Sequence, residues 1–563
     1  MTNPPTADHA GVSQALDALF APWNRSDAPG LVVGIARGRE VVYRRGFGMA
    51  SLEQACANSP ATRMRIGSTT KHFTCLAALL LAGEGKLDID ASIRTYLPEL
   101  PALEGEPTLR QLMSHTGGYR CYLDVSMLTN GAAILPVGAS LDYMARQTAA
   151  NFAPGAQMIY CNGGYVLISI AIERASGIPI RQFLEQRIFW PMGMADTELA
   201  PSDMEILPGA ATLHLVSPQG LRRGIFPSEE VIGEGGMIST IDDMLTWLAH
   251  LRAPTVVGDA AIWAQMMTPA RYTGGGSGAY CLGLMRNAYR GVETVHHAGG
   301  VFGGASQMLT VPAHQLDIIM MTNRSDVSPA DLTERVLDII LEGELSPAPE
   351  HLDEAAGKAL VGRYFSPRSR VLYSIRKNEA GFGLGINNSQ GRPLPIERTA
   401  TGELRADPGS MAAITIEGAD LASPTPPDSL DFTVAGETHA YRRLAEAPPP
   451  ISEFTDLIGD YANPDTDSRA TITDEDDALF MNLVGRFGRT RYALKPIDQD
   501  ILLFRRQGMS GNTAMTGSLL VMRQGDAVTT VEMNTPRTRG LRFTRVGSGG
   551  LGRKPLASDR QSP

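Results

Sequence analysis

The chain has few cysteines and no surplus of basic charge. Its 563 residues include five cysteines, none in CxxC spacing, and the formal net charge is −10 at pH 7. An odd, scattered set of cysteines argues against a disulfide framework or a zinc site and fits a reducing compartment. Nucleic acids and anionic membranes need a basic face, which this acidic balance does not indicate. We therefore expect a cytoplasmic protein that has no metal, no cofactor and no nucleic-acid partner.

Long apolar runs are also missing. Runs such as AALLLAG at 77–83 fall far short of the ~20 residues that a membrane span needs. The first residues, MTNPPTADHAGVSQ, contain neither the basic cluster nor the apolar core of a signal peptide. We therefore expect no membrane partner. A hydrophobic content of 43% with 20% charged residues is instead typical of a folded globular protein.

Two proline-rich segments, 344–354 and 444–454, divide the chain. At roughly 150 residues per domain, the length allows three or four domains. The segments after the two breaks share glycine, tyrosine and proline at the same spacing, starting at Gly362 and at Gly459. We predict a first domain over 1–345, two similar β domains over 354–445 and 454–547, and a disordered tail over 548–563.

The first domain alternates strand and helix patterns. Residues 30–48, GLVVGIARGREVVYRRGFG, predict two strands joined at 37–39. Residues 73–90 predict a buried helix that ends at glycines 83 and 85, and residues 308–323 predict a late hairpin. Strands, then helices, then strands indicate an α+β domain with one antiparallel sheet. The short alternating runs that follow indicate small antiparallel barrels or sandwiches.

Ser68 and Lys71 form an SxxK pair at the start of the buried helix. Residues i and i+3 share a face of a helix, whereas in a strand they face opposite sides. A second copy, Ser374 to Lys377, lies in a strand pattern, so only the first copy has workable geometry. A lysine among apolar neighbours loses solvation, its pKa falls, and it can accept the serine proton. The alternative is that Ser68 only caps the helix and Lys71 is solvated.

Two further polar motifs follow in the same domain. Tyr160 and Asn162 precede a second apolar helix, where a tyrosine can relay a proton and an asparagine can bond a substrate amide. His297 and Gly299 come later, with Gly300 beside them. Glycines there allow a substrate backbone to approach, and the Gly300 N–H can face an oxyanion.

Other copies of these motifs have simpler interpretations. We read His115-Thr116-Gly117 as a turn and Tyr461-Ala462-Asn463 as a strand start. Glu234, in GEGGM, is either a ligand for a substrate cation or a residue that orients its own loop.

Taken in order, the three motifs resemble those of the serine β-lactamase and penicillin-binding-protein clan, on its class C side. The resemblance covers about residues 15–330 and includes the segments 109–119, 187–199, 233–247 and 296–323. It implies an α/β sandwich with the active site between an all-helical part and the sheet. The roles it implies are nucleophile for Ser68, base for Lys71, proton relay for Tyr160, substrate ligand for Asn162 and third-motif residue for His297. The oxyanion hole would be the N–H groups of Ser68 and Gly300, with Gly299 also at the substrate.

The third motif and the two β domains are most similar to those of the bacterial D-aminopeptidases. Those enzymes remove an N-terminal D-residue from peptides, amides and esters. In them, a loop of the last domain restricts the catalytic cleft. We expect the equivalent loop near 505–518, which lacks the acidic residue that meets the substrate ammonium in those enzymes. His297 replaces the more usual lysine and holds an anion less well, so we do not expect a free C-terminal carboxylate on the substrate.

The sequence therefore predicts a serine hydrolase that forms an acyl-enzyme on Ser68 and cleaves N-terminal D-aminoacyl bonds. Its partner would be a small peptide, amide or ester substrate, and a homodimer is left open. One alternative is an esterase or amidase for small acyl compounds. Another is a catalytically silent penicillin-binding or regulatory protein.

Overall fold

The structure is a computed structural model. It describes residues 9–103, 105–379, 381–387, 393–399, 401–406, 413–423, 425–507 and 515–547. The predicted disordered tail, 548–563, lies outside the described residues. No helix within these ranges is both long enough and apolar enough to span a membrane.

Most helices belong to the first part of the chain. They are α1 His9–Phe20, α2 Lys71–Gly83, α3 Leu109–Met113, α4 Tyr122–Asn130, α5 Ala139–Ala145, α6 Asn162–Ser176, α7 Ile180–Leu184, α8 Trp190–Met192, α9 Ile241–Arg252, α10 Ala260–Met266, α11 Pro329–Ile340 and α12 Glu354–Lys358. A π-helical turn, Glu185–Phe189, joins α7 to α8. Short 3₁₀ turns cover Ala21–Trp23, Gly67–Thr70, Ile93–Thr95, Pro312–His314 and Ile451–Leu457.

The strands of the first part build one main antiparallel sheet. They are β1 Leu31–Arg37, β2 Glu40–Phe47, β3 Met49–Ser51, β4 Cys56–Ala57, β5 Met64–Arg65, β6 Glu198–Leu199, β7 His214–Ser217, β8 Gly220–Arg223, β9 Met237–Ser239, β10 Met285–Tyr289, β11 Val292–Val301, β12 Gly304–Val311 and β13 Leu316–Thr322. Six of them pair in the order β10-β11-β12-β13-β1-β2. The predicted strand pair joined at 37–39 is β1 and β2, and the predicted late hairpin is β12 and β13, so both predictions are confirmed.

Helices cover both faces of this sheet. On β1, Leu31, Val33 and Ile35 point to one face and pack in a core shared with α1 and α11. The other face packs against α9, where a Cβ on Gly34 would touch Leu245 at 3.1 Å. Because both faces are covered, β1 reads as a continuous apolar run rather than an alternating one.

The helical part of the first domain packs around α2, which is buried on nearly all sides. It contacts α6, α7 and α10, and the 3₁₀ turn just before it lies against β11. The helix ends at Gly83, as predicted. This arrangement brings the start of α2 to the boundary between the helices and the sheet, where the resemblance places the active site.

The predicted β domains are barrels. Their strands are β14 Glu350–His351, β15 Gly362–Phe365, β16 Leu372–Asn378, β17 Gly381–Ile386, β18 Leu394–Arg398, β19 Leu404–Ala406, β20 Ile414–Glu417, β21 Ser429–Val434, β22 Glu437–Arg443, β23 Gly459–Asn463, β24 Ser468–Glu475, β25 Ala478–Val484, β26 Arg489–Asp498, β27 Ile501–Arg506, β28 Thr516–Gln524, β29 Ala527–Asn534 and β30 Leu541–Arg545. Strands β15–β22 close into the first barrel, with β14 added beside β18, and β23–β30 close into the second barrel. The domain boundaries predicted from the sequence remain a proposal. The grouping of the strands into the main sheet and the two barrels agrees with them.

The second barrel docks directly on the helical part. Tyr492 Oη donates to the backbone oxygen of Leu128 at 2.9 Å, and the Phe487 N–H donates to Asn130 Oδ1 at 2.8 Å. Side chains of the barrel interior and of the helical part belong to one contiguous apolar core. The second barrel is therefore held against the domain that carries the site.

Candidate active site

Ser68 lies in the 3₁₀ turn Gly67–Thr70, immediately before α2. In a 3₁₀ turn, side chains at i and i+3 eclipse each other, which suits an SxxK pair. Lys71 Nζ lies 3.0 Å from Ser68 Oγ. Ser68 is partly exposed whereas its neighbours are buried, so a substrate can reach its hydroxyl. The second copy behaves as predicted, since Ser374 lies in β16 and Lys377 pairs with Glu354 instead.

Lys71 is completely buried, with 0% of its surface exposed. Its Nζ also donates to Asn162 Oδ1 at 2.8 Å and to the backbone oxygen of Glu234. Burial lowers the pKa of Lys71 to about 7, against the opposing charge of Glu234. Three acceptors satisfy the charged amine, and a neutral amine can turn its lone pair to the Ser68 hydroxyl. The alternative of a solvated lysine is therefore wrong.

Glu234 is a buried acid whose charge interacts with that of Lys71. Only 3% of its surface is exposed, and burial raises the pKa of its carboxyl to about 7. Its Oε1 accepts from Tyr122 Oη at 3.0 Å, and its Oε2 accepts from the Ile232 N–H at 3.0 Å. Both oxygens are engaged by the protein. Of the two interpretations made from the sequence, the geometry favours the residue that orients its own loop.

Tyr160 lies just before α6 with its ring beside the lysine. Lys71 Nζ is 4.8 Å from the ring centroid. The hydroxyl is buried and makes no aligned hydrogen bond within the described part of the chain. Burial raises the pKa of Tyr160, and the nearby Ser68 hydroxyl opposes that rise only in part. Tyr160 therefore carries its proton at neutral pH and is available as a donor.

His297 stands at one end of a buried hydrogen-bond chain. The Cys161 N–H donates to His115 Nδ1 at 3.1 Å, so His115 carries its proton on Nε2 and donates it to Tyr280 Oη at 3.1 Å. The Tyr280 hydroxyl then donates to His297 Nε2 at 2.9 Å, and His297 Nδ1–H donates to the Ala298 oxygen at 2.6 Å. Burial lowers the pKa of His297 to about 3, so it is neutral and is no anion-binding cation.

The sequence interpretation missed two members of this chain. His115 does sit in a turn, with φ of 59°, but its ring also packs against that of Tyr160, with 4.0 Å between the ring centroids. His115-Thr116-Gly117 repeats the HxG pattern of His297 within the same domain, and this repeat is the sequence signal that could have identified His115. Tyr280 had no comparable motif, and only the fold brings it between the two histidines.

Strand β11 passes close to the nucleophile turn. A Cβ on Gly299 would lie 1.8 Å from the Ile66 oxygen, and a Cβ on Gly67 would lie 2.8 Å from the Gly300 nitrogen. By contrast, a Cβ on Gly300 would meet nothing within 4 Å. Pairing with β10 ends at His296, which leaves the following residues of β11 with an edge that β10 does not cover. Gly299 thus permits close packing, and Gly300 borders open space.

The second barrel also reaches Tyr160. The Arg537 guanidinium lies 4.9 Å from the centroid of the Tyr160 ring and comes from the turn 535–540, between β29 and β30. The loop predicted for this position, 505–518, includes residues 508–514, which lie outside the described residues. The sequence contained no motif that singled out Arg537.

Two known proteins are similar to this chain over most of its length. A D-aminopeptidase of Cereibacter sphaeroides is 27% identical over 549 residues, which cover 96% of this chain and 100% of that protein. A D-aminopeptidase of Brucella anthropi is 26% identical over 488 residues, covering 84% and 87%.

Solved structures show the same fold. The octameric penicillin-binding protein homologue from Pyrococcus abyssi matches with a TM-score of 0.54 and 21% identity, covering 86% of this chain and 99% of that one. The D-amino acid amidase from Ochrobactrum anthropi SV3 matches with a TM-score of 0.50 and 22% identity, covering 60% and 100%. The family described as Beta-lactamase matches residues 14–342, more than half of the chain. The chain therefore belongs to the beta-lactamase family, as its motifs predicted.

Proposed function

We propose that the protein is a serine hydrolase that forms an acyl-enzyme on Ser68 and hydrolyses N-terminal D-aminoacyl bonds of small peptides, amides or esters. The observation that carries this proposal is the buried Lys71 amine, 3.0 Å from Ser68 Oγ and with a pKa of about 7. An amine of that pKa is half neutral at physiological pH and can accept the hydroxyl proton. The D-aminopeptidase names of the relatives support the substrate class.

The first half of the reaction acylates the enzyme. Lys71 takes the Ser68 proton as Oγ attacks the carbonyl carbon, and the carbonyl π electrons move to its oxygen. The N–H groups of Ser68 and Gly300 face that oxyanion. When the intermediate collapses, Tyr160 gives its proton to the leaving nitrogen or oxygen, and Lys71 returns a proton to Tyr160. Asn162, which already bonds Lys71, orients the amine and the substrate amide.

The second half releases the acyl group. Water gives a proton to Lys71 and attacks the carbonyl carbon of the acyl-enzyme ester. Ser68 Oγ then leaves and takes a proton from Lys71. His297 is proposed as a neutral positioning residue, held by Tyr280 at the edge of the cleft. A catalytically silent binding protein would have no need of the close contact between Ser68 and Lys71. A homodimer and a cytoplasmic location remain predictions.

The deciding experiment compares D- and L-alanyl p-nitroanilides with a short-chain p-nitrophenyl ester. We expect the D-anilide to be cleaved faster than the L-anilide, and Ser68→Ala to lower kcat/KM by at least about 1,000-fold. A fluorescent acylating probe should label the wild-type peptide that contains Ser68 and spare the variant. Equal D and L rates, with the ester fastest, would favour the esterase alternative. Full activity of Ser68→Ala would contradict the proposal.

A further inference from the structure

A cavity of about 110 Å³ opens on the side of Tyr160 that faces the barrels. The segment 157–160, the mouth of the first barrel and the turn 535–540 enclose it together. The first barrel contributes the aromatic rings of Tyr373, Phe432 and Tyr441. A cavity with an apolar body and a few polar groups is typical of a ligand site. Tyr160 forms part of its wall whereas Ser68 and Lys71 do not line it, so the Tyr160 side chain separates this cavity from the nucleophile.

Arg537 is the unusual polar residue of this cavity. The backbone of its turn is anchored, because Asn151 Nδ2 donates to the Arg537 oxygen at 3.0 Å and the Arg537 N–H donates to Thr535 Oγ1 at 3.2 Å. The guanidinium itself is partly exposed and has neither a hydrogen bond nor an ion pair within the described ranges. An anchored backbone that presents an unpaired cation to a cavity is suited to hold an anion.

The other charged groups leave the cavity with a positive balance. Arg539 also lines it, donates to Gln157 Oε1 at 3.3 Å and has a buried Nε with no partner in the described part of the chain. Glu437 is the opposing carboxylate and contacts His439 at 2.9 Å. Burial lowers the pKa of His439, so that ring adds little positive charge at pH 7. Two guanidinium groups and one carboxylate therefore line the cavity, and the buried Asp124 carboxyl, which accepts from Thr535 Oγ1 of the same turn, also interacts with the Arg537 charge.

We propose that Arg537 binds the free C-terminal carboxylate of a short D-aminoacyl peptide, such as a dipeptide, whose leaving residue lies against Tyr160. This inference rests on the proposed function. If Tyr160 donates a proton to the leaving nitrogen, the carboxylate two bonds further along the amino acid lies beside the same ring. The Arg537 guanidinium lies 4.9 Å from the centroid of that ring, and its fork of N–H groups matches a carboxylate. The side chain of the leaving residue would enter among the aromatic rings.

This assignment revises the expectation drawn from His297. The usual third-motif lysine is absent, and the buried neutral histidine cannot replace its charge. Here an arginine from another part of the chain supplies the cation. The competing explanation is that Arg537 acts only through its field on Lys71, whose pKa it helps to lower. That effect would alter the rates for all substrates equally.

The test compares two substrates, D-Ala-Gly and its C-terminal amide D-Ala-Gly-NH₂. For each substrate, kcat, KM and kcat/KM are measured. Wild type should prefer the free acid, and Arg537→Gln should lower the acid-to-amide ratio by about 10- to 100-fold, mainly through KM. Arg537→Lys should lose part of the preference, and Arg537→Glu should reverse it. Arg469→Gln, an exposed arginine in the same barrel, is the matched control and should keep the wild-type ratio.

Each result decides between explanations once melting curves show that the variants are folded. A ratio unchanged in Arg537→Gln, whether both rates fall or neither does, overturns the inference. D-alanyl p-nitroanilide tests the underlying function separately. If this anilide is cleaved through Ser68 and the acid-to-amide ratio does not change in the Arg537 variants, only the carboxylate assignment fails. If wild type cleaves none of the three D-alanyl compounds, the proposed function itself fails.

Discussion

The pH dependence of kcat/KM tests the central feature of the site, which is a lysine that is about half neutral at physiological pH. Burial moves the pKa of Lys71 from the ordinary 10.5 to about 7. At about 1.36 kcal/mol per pH unit, this shift means that the protein favours the neutral amine by roughly 5 kcal/mol more than water does. Since the neutral form accepts the Ser68 proton, kcat/KM should rise with pH and level off above about pH 8. At pH 5 it should be about 100-fold below the plateau.

Glu234→Gln shows whether this rise belongs to Lys71. The Glu234 charge raises the pKa of Lys71, so its removal should move the rise to lower pH. Glu229→Gln, an exposed acid nearby in the chain, is the matched control and should leave the profile in place. The same substrate is used throughout, so titration of its own amine cancels in the comparison.

Profiles of kcat/KM for D-alanyl p-nitroanilide from pH 5 to 10 provide the measurement. A profile that keeps rising with unit slope to pH 10 would mean that Lys71 has an ordinary pKa. A profile that coincides in wild type and Glu234→Gln would mean that the titrating group is elsewhere. Either result refutes the reasoning from burial.

Two further predictions concern single residues of the site. Lys71→Arg keeps the positive charge but cannot accept a proton near neutral pH, so it should lower kcat by at least about 1,000-fold in a folded protein. Retention of most activity would show that Lys71 supplies charge alone. Gly299→Ala should lower the melting temperature markedly, because its Cβ would meet the Ile66 oxygen at 1.8 Å, whereas Gly300→Ala, with open space around it, should melt like wild type. Thermal unfolding followed by circular dichroism checks this pair, and equal melting temperatures would contradict the packing argument.

Local chemistry explains why part of the site could be read from the sequence. The pairing of Ser68 with Lys71 depends on a spacing of three residues at a helix start, and Asn162 opens the next buried helix. The strand pair around 37–39 likewise follows from a run rich in apolar and β-branched residues that is interrupted by a short turn. Contacts of this kind are decided within one or two turns of backbone, so a pattern of neighbours is enough to predict them.

Other parts of the site depend on residues that are remote in the chain. His115, Tyr280 and His297 meet only because a turn, a loop and a strand converge beside Tyr160. The local sequence predicts a turn at His115, which its positive φ confirms, but only the fold brings its ring within hydrogen-bond distance of Tyr280. No spacing rule links three such elements, because the packing of the helices on the sheet sets their distances.

The sequence by itself predicted the family, the fold of the first domain, two small antiparallel β domains and the pairing of Ser68 with Lys71. Only the tertiary structure decided how far the Lys71 pKa falls, because burial depends on every element that covers the amine. It also decided that Arg537 of the second barrel lies beside the ring of Tyr160. That contact depends on the docking of the barrel on α4, where a shared apolar core sets the relative position of two distant segments.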